Sequence, residues 1–480
     1  MPSAFQAALA SWSFPPVVTA LDLLTALLYI RGWSELRRVM PARFAPWRLA
    51  CFLCGLAALE IALASPIDTF DPFLLYDHML QHMFLMVIVP PLVLLGDPLI
   101  PLLRGLPRWL ARHVFGPFLT WAPLSNLGAW LVDPPVALVL LSLAMVGWHL
   151  PAPYELALRS PGWHEIEHAC FLVASLLFWW PVIEPWPSRR RWPAWAMPVY
   201  LLLCDFVNSV VSAFLVFSGR LLYPWYAAVP RLGGLSAQND QVAAGGVMWV
   251  IGSFGFLIPA AIITVKLLSP QPPAAARNRR IHPFAPSRLR RSILPALTLA
   301  LPLAALACAW LAPDTVDIDG DVVRLHDVSG PFDVSVFGDP GPLGGGPADF
   351  AVLVQDKNSG AVILDADVDL VAQPAAGPAT VVRATRAQST NKLMEAATLD
   401  LPASRPLKLS VQVHRGNAEG RVETTLTGAS SASGSSLGNK RVAPACPERN
   451  EGRLAVLPRM LWQSGGRRHV GTGLDNTCPG

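Results

Sequence analysis

Eight apolar runs, each long enough to cross the roughly 30 Å of hydrocarbon in a bilayer, dominate the first two thirds of this 480-residue chain. They lie near residues 14–31, 47–64, 76–96, 134–151, 166–183, 195–217, 241–268 and 292–312. In lipid every backbone N–H and C=O must find its partner within the protein, so a lone run of this kind folds as a helix. The chain is 52% hydrophobic and 15% charged, with a mean hydropathy of +0.41, too apolar for a soluble protein of this size. The expected fold is an all-α polytopic membrane helix bundle of about eight transmembrane helices over 1–312, followed by a small all-β extracytoplasmic domain. The stretch 113–131 is interrupted by Gly116, Pro117 and Pro123 and is expected to be interfacial or re-entrant rather than spanning.

Arginines mark alternate loops. Arg31, Arg37, Arg38, Arg43 and Arg48 lie around the first connection, and Arg104, Arg108 and Arg112 follow the third run. Arg189, Arg190 and Arg191 separate the fifth and sixth, and Arg277, Arg279, Arg280, Arg288, Arg290 and Arg291 follow the seventh. The remaining loops are poor in Lys and Arg, and the one after the second run is acidic, with Asp68, Asp71 and Asp77. Basic loops stay on the cytoplasmic side, so eight helices with both termini extracytoplasmic fit, as a multi-pass protein of a bacterial plasma (inner) membrane. The first 21 residues carry no charged side chain, so no signal-peptide n-region is expected there. The net charge of +4 is modest, and no nucleic-acid partner is expected; the lipid bilayer is the implied one.

Residues 313–428 change character. FDVSVF (332–337), DFAVLVQD (349–356), LKLSVQVH (407–414) and VETTLTG (422–428) alternate apolar and polar residues between Gly, Pro and Asp turns. They predict an immunoglobulin-like sandwich of roughly seven short strands. Residues 429–480 show no period and are expected to form a disordered or aberrant tail.

Five of the ten histidines then fall at one depth, on the outer side. His78 and His82 open the third run, His149 closes the fourth, and His164 and His168 open the fifth. Residues four apart share one helix face, so each H-x3-H pair can chelate an ion. Met79 and Met83 flank the first pair, and imidazole with thioether suits copper, Met favouring Cu(I). The candidate metal ligands are therefore His78, His82, His149, His164 and His168, with Met79 and Met83 beside them. The plainer reading is helix-end histidines and gap-filling methionines.

Other chemistries stay open. His164 to His168 reads H-E-I-E-H, matching both H-E-x-x-H and H-x-x-E-H, in which Glu165 or Glu167 would activate a zinc-bound water. Haem needs two imidazoles on opposite faces, which an i, i+4 pair cannot supply but His149 with a member of either pair could. Asp205 and Asn208 lie mid-membrane, as functional groups or as interhelical hydrogen bonds. Asp240 and Gln241 open the seventh run and are candidates to join the histidine layer, with Met248 extending it inward. Trp148, Trp163, Trp179 and Trp180 fit an interfacial aromatic belt. Cys51 and Cys54 form a C-x2-C inside an apolar run and read as packing residues.

Eight short motifs occur in order: S-P-I-D at 65–68, H-M-L-Q-H-M at 78–83, P-P-L-V-L-L-G at 90–96, W-H-L-P at 148–151, H-E-I-E-H at 164–168, F-W-W-P at 178–181, L-Y-P-W-Y at 222–226 and D-Q-x4-G at 240–246. Over about residues 45–270 the chain resembles the CtaG-type cytochrome c oxidase assembly factors of bacteria. The resemblance implies a non-enzymatic role in maturing the copper centres of haem–copper oxidases. Its implied partners are oxidase subunits and periplasmic copper chaperones, and its implied cofactor is copper, with zinc or haem as alternatives. A copper transporter or copper-resistance protein is the alternative function. The β domain resembles YtkA/FixH-like periplasmic domains through G-P-F-D-V-S-V-F (330–337) and A-T-x-A-Q-S-T-N-K-L (384–393).

Overall fold

The structure is a computed structural model that describes residues 3–117, 121–188, 192–269, 322–338, 346–374, 377–401 and 407–426. The expected eighth helix at 292–312, the basic loop at 277–291 and the 429–480 tail lie outside the described residues. Within them, six helices are long and apolar enough to cross a membrane: Pro16–Val39, Pro46–Phe70, Leu75–Leu95, Pro161–Ile183, Ala196–Phe217 and Ala237–Leu268. A seventh is supplied if Ala122–Leu131 and Pro134–Trp148, bent by 70° at their junction, count as one broken span. The Pro123-containing half of the interrupted stretch thus becomes the first limb of that bent pair. Prolines open several of these helices, at Pro16, Pro46, Pro134 and Pro161, where a missing N–H costs nothing.

The third span is not uniform. One turn of π-helix, Phe84–Ile88, follows His82 and Met83. Pro90 has no N–H for the Met86 carbonyl four residues back, and the Trp179 indole Nε1 donates to that carbonyl at 2.9 Å. Trp179 and Trp180 are only 2% and 4% exposed, so these two are core residues and not part of an aromatic belt. Trp163, at 44%, keeps the expected exposed position. Close backbone approach needs glycine at two facing positions. A Cβ at Gly32 would overlap the Pro101 carbonyl, and one at Gly105 would overlap that of Leu28.

Three of the basic connections meet at one end of the bundle among the described residues. Buried Asp97 pairs with Arg43 at 3.2 Å and Arg48 at 2.8 Å, and accepts from the Trp186 backbone N–H at 2.8 Å. The connections after the first, third and fifth spans are thereby tied together, the grouping that the arginine alternation predicts.

At the opposite end sits the β region. Its sheets run β1-β2-β3-β6 and β5-β4-β7-β8, all pairings antiparallel. In residues these are β1 Val322–Ser329, β2 Phe332–Gly338, β3 Gly346–Asp356, β4 Asp367–Pro374, β5 Thr380–Arg383, β6 Glu395–Leu401, β7 Leu407–Arg415 and β8 Ala418–Leu426. Eight strands are described where about seven were expected. Val334, Val336, Val352, Leu370 and Val411 fill the space between the sheets. In β2 and β3 the alternation breaks down because both faces are buried. Phe337, Ala351 and Leu353 turn to the helices and join their core. Phe337 meets Phe73 edge-on at 5.5 Å, Gln355 Nε2 donates to the Arg231 carbonyl at 3.1 Å, and the Lys392 N–H donates to Ser11 Oγ at 2.9 Å.

Candidate metal centre

The i, i+4 pairs are where helical periodicity puts them. The third span carries His78 and His82 with ring centroids 4.4 Å apart, and the fifth carries His164 and His168 at 4.1 Å. The two spans present these faces to each other. His78 lies 5.1 Å from His164 and 6.0 Å from His168, and His82 lies 5.6 Å from His168. His149 caps the C-terminus of Pro134–Trp148 and stands 5.9 Å from His82. All five histidines therefore converge.

Two carboxylates enter the cluster that the histidine pattern did not include. Asp71 Oδ2 lies 3.5 Å from His78 Nδ1 and 3.2 Å from His164 Nε2. Glu167 Oε2 lies 3.7 Å from His78 Nε2, and its Oε1 lies 3.6 Å from His82 Nε2. Burial pushes the Asp71 carboxyl above its ordinary range, opposed by the His164 imidazole. His78, His82, Asp71 and Glu167 are all at or below 2% exposure. Glu165, one residue from His164, is exposed, so only one of the two acids in H-E-I-E-H faces the histidines.

His78, His82, Glu167 and His168 Nε2 have buried polar atoms with no hydrogen bond among the described residues. Burying such atoms unpaired costs about 1–3 kcal/mol each, so a cluster of them marks a place built for something else. Ligand atoms of His78, His82 and His168 lie within 4.8 Å of one another, as do those of Asp71, His78 and His164. Imidazole nitrogens and carboxylate oxygens at that spacing are a metal donor set.

Met79 joins from the side. His149 Nδ1 lies 2.6 Å from the Met145 carbonyl, which can only accept, so that nitrogen carries the proton. In the neutral ring Nε2 then holds a lone pair, and it faces Met79 Sδ at 3.3 Å. A thioether is at best a weak acceptor, so two lone pairs oppose each other, an arrangement that a cation between them would satisfy. Met83 is buried in the same apolar core.

The residues after the sixth span hold this arrangement in place. Tyr223 donates to the His149 carbonyl at 2.9 Å, Trp225 Nε1 to that of Pro72 at 2.9 Å, and Tyr226 to that of Asp71 at 3.0 Å. Burial raises all three tyrosine hydroxyls of Tyr154, Tyr223 and Tyr226, so they stay protonated donors. Asp240 does not join the histidine layer. Its carboxylate accepts from the Leu75 and Tyr76 N–H groups at 3.0 and 3.1 Å and from Arg231 at 2.9 Å, capping the helix that carries His78 and His82. Gln241 is likewise consumed, bonding Leu222, Leu215, Ser218 and Arg220. Asn208 Nδ2 donates to the Met248 carbonyl at 3.3 Å, an interhelical hydrogen bond.

A family model described as the cytochrome c oxidase caa3 assembly factor matches residues 27–269. An uncharacterised protein of Mycobacterium bovis and one of Mycobacterium tuberculosis are each 27% identical over 279 residues, covering 56% of this chain and 40% of theirs. An uncharacterised protein of Mycobacterium leprae is 25% identical over 269 residues, 54% of this chain and 39% of its own. The chain spans about two fifths of the length of these relatives. No solved structure matches it.

Proposed function

The chain belongs to the cytochrome c oxidase caa3 assembly factor family, and from that premise we propose that it binds copper at the histidine centre on the extracytoplasmic side and assists metallation of the oxidase. The observation that carries this reading is the convergence of four imidazoles from two helices, with buried nitrogens of His78, His82 and His168 lacking hydrogen bonds among the described residues and the His149–Met79 pair alongside. Nitrogen with thioether is a donor set suited to Cu(I), and imidazole tolerates either oxidation state. The ligands are His78, His82, His164 and His168, with His149 and Met79 beside them and Met83 as the weakest candidate. Copper is here a cargo, passed from periplasmic chaperones to oxidase subunits. In this reading the protein lies in a bacterial inner membrane with the histidine end outward, which the meeting of arginine-bearing connections at the other end supports.

The competing chemistries gain less support. A zinc peptidase needs room for a peptide at the metal, whereas His78, His82 and Glu167 are 0% exposed. Haem needs space for a macrocycle between His82 and His149, where the Phe171 ring packs at 4.5 and 6.0 Å from the two. Transport would be favoured by mid-membrane Asp205 and Met248 lining a path, but Met248 is fully buried in the helix core and its carbonyl accepts from Asn208.

A deletion strain tests the reading. Membranes should retain oxidase subunits but lose copper-dependent oxidase activity, with added copper partly restoring it. His78→Ala with His82→Ala should reproduce the defect at normal protein level and lower bound copper. Normal oxidase activity with altered copper uptake would instead indicate a transporter.

A further inference from the structure

We infer that the centre holds two metal ions at once, in adjacent positions that share the His78 imidazole. The inference rests on the metal-binding reading above and adds stoichiometry and the division of ligands. His78 is common to both ligand triads, His78 with His82 and His168, and His78 with Asp71 and His164. Its two nitrogens address different carboxylates, Nδ1 toward Asp71 at 3.5 Å and Nε2 toward Glu167 at 3.7 Å. The two ring nitrogens point away from each other, so a single ion cannot lie along both. One ion bound at Nε2 would leave Nδ1 carrying the ring proton toward Asp71, and loss of that proton would open a second site with Asp71 and His164.

The two positions differ in character. The outer one offers a carboxylate oxygen and two imidazoles, from Asp71, His78 Nδ1 and His164. The inner one offers three imidazoles, His78 Nε2, His82 and His168, with Glu167 facing the first two. Oxygen-rich sets suit harder cations, and nitrogen with nearby thioether suits Cu(I). Asp71, Glu167 and the deprotonated His78 ring together offset the charge of two ions, which lowers the repulsion of neighbouring cations in a site removed from water. Filling both positions converts His78 to a bridging imidazolate. Its ring N–H proton leaves to solvent as the second metal–nitrogen bond forms, so no electrons are transferred.

The full chain, purified in detergent, would be loaded with Cu(I) under ascorbate, desalted and assayed for copper per chain. Two ions per chain are expected, counted by native mass spectrometry of the loaded chain. His164→Ala and Asp71→Asn should each lower the content from two to one, and His78→Ala should lower it further than either. One ion in the parent chain, unchanged by His164→Ala, would overturn the two-ion inference while leaving a metal centre. No retention of Cu(I), Cu(II) or Zn(II) would overturn the metal-binding reading itself. The ion count of the parent decides the matter even where a variant fails to fold, because one ion per parent chain refutes the two-ion inference.

Discussion

Asp240 is the sharpest test of how the centre is positioned, because it touches no histidine. Its carboxylate is fully buried and caps the third span from a residue 165 positions away in sequence, accepting from Leu75 and Tyr76. In Asp240→Ala those two N–H groups lose their partner, and an unsatisfied buried donor costs about 1–3 kcal/mol. Arg231 loses its anion too, but it keeps the Tyr226 and Leu235 carbonyls and is 24% exposed, so its share stays near the surface range of up to ~1 kcal/mol. The total expected loss is about 2–5 kcal/mol, with the upper end below the plain sum because the fraying turn regains water. Asp240→Asn keeps one accepting oxygen and should lose about 1–3 kcal/mol. His78 begins one residue beyond this turn, so the same variants should weaken Cu(I) binding by about 10–100-fold, the usual effect of disturbing a ligand's support. Denaturation in detergent and competitive copper titration measure both. An Asp240→Ala protein as stable and as copper-competent as its parent would refute the argument.

Other expectations are more local. Glu165→Gln should leave oxidase maturation near normal, since that side chain is exposed, while Glu167→Gln should impair it by removing a buried anion between His78 and His82; the reverse ranking, with an uncleaved membrane protein accumulating, would favour a peptidase. Met79→Leu preserves volume and should change stability by less than about 1.5 kcal/mol, yet it should lower Cu(I) affinity, and unchanged affinity would make Met79 a packing residue. Gly105→Ala sets a methyl against the Leu28 carbonyl and should destabilise by about 1–3 kcal/mol. Gly147→Ala, with nothing within 4 Å, should be neutral or stabilising by up to ~1 kcal/mol, and equal melting of these two variants would contradict the packing described.

What could be read from sequence is what local periodicity encodes. An H-x3-H pair lies on one helix face in any fold, so each chelating pair was legible, as was the common end of the bundle through the arginine alternation. Trp179 was misread because an indole near a helix end looks interfacial; only the carbonyl freed by Pro90, 89 positions earlier, draws it inward. Asp71 was legible as a charge in an acidic loop, but not as a neighbour of His164, because that contact depends on how two helices pair. The choice between Glu165 and Glu167 had a usable signal. Position 167 lies three residues after His164 and shares its helix face, whereas 165 points about a quarter-turn away.

The segment 222–241 shows why the remaining contacts stayed hidden. Its L-Y-P-W-Y and D-Q motifs contain no metal ligand, and their chemistry suggested at most an extension of the histidine layer. In the fold this segment supplies the backbone bonds that hold ligand-bearing pieces of chain: Tyr223 on His149, Trp225 and Tyr226 on the Asp71–Pro72 turn, and Asp240 on the start of the third span. Helix ends from distant parts of the sequence can keep buried imidazoles a few ångströms apart only if something fixes their backbones to a common frame. A hydrogen bond from a tyrosine or indole to a carbonyl does so without adding a competing charge to the site. The β domain reaches the same frame from outside, through Gln355 on the Arg231 carbonyl and Phe337 on Phe73. Arg231 in turn holds Asp240. The β domain is therefore connected by two residues to the cap of the helix carrying His78 and His82, and loosening its docking should be felt first at that cap.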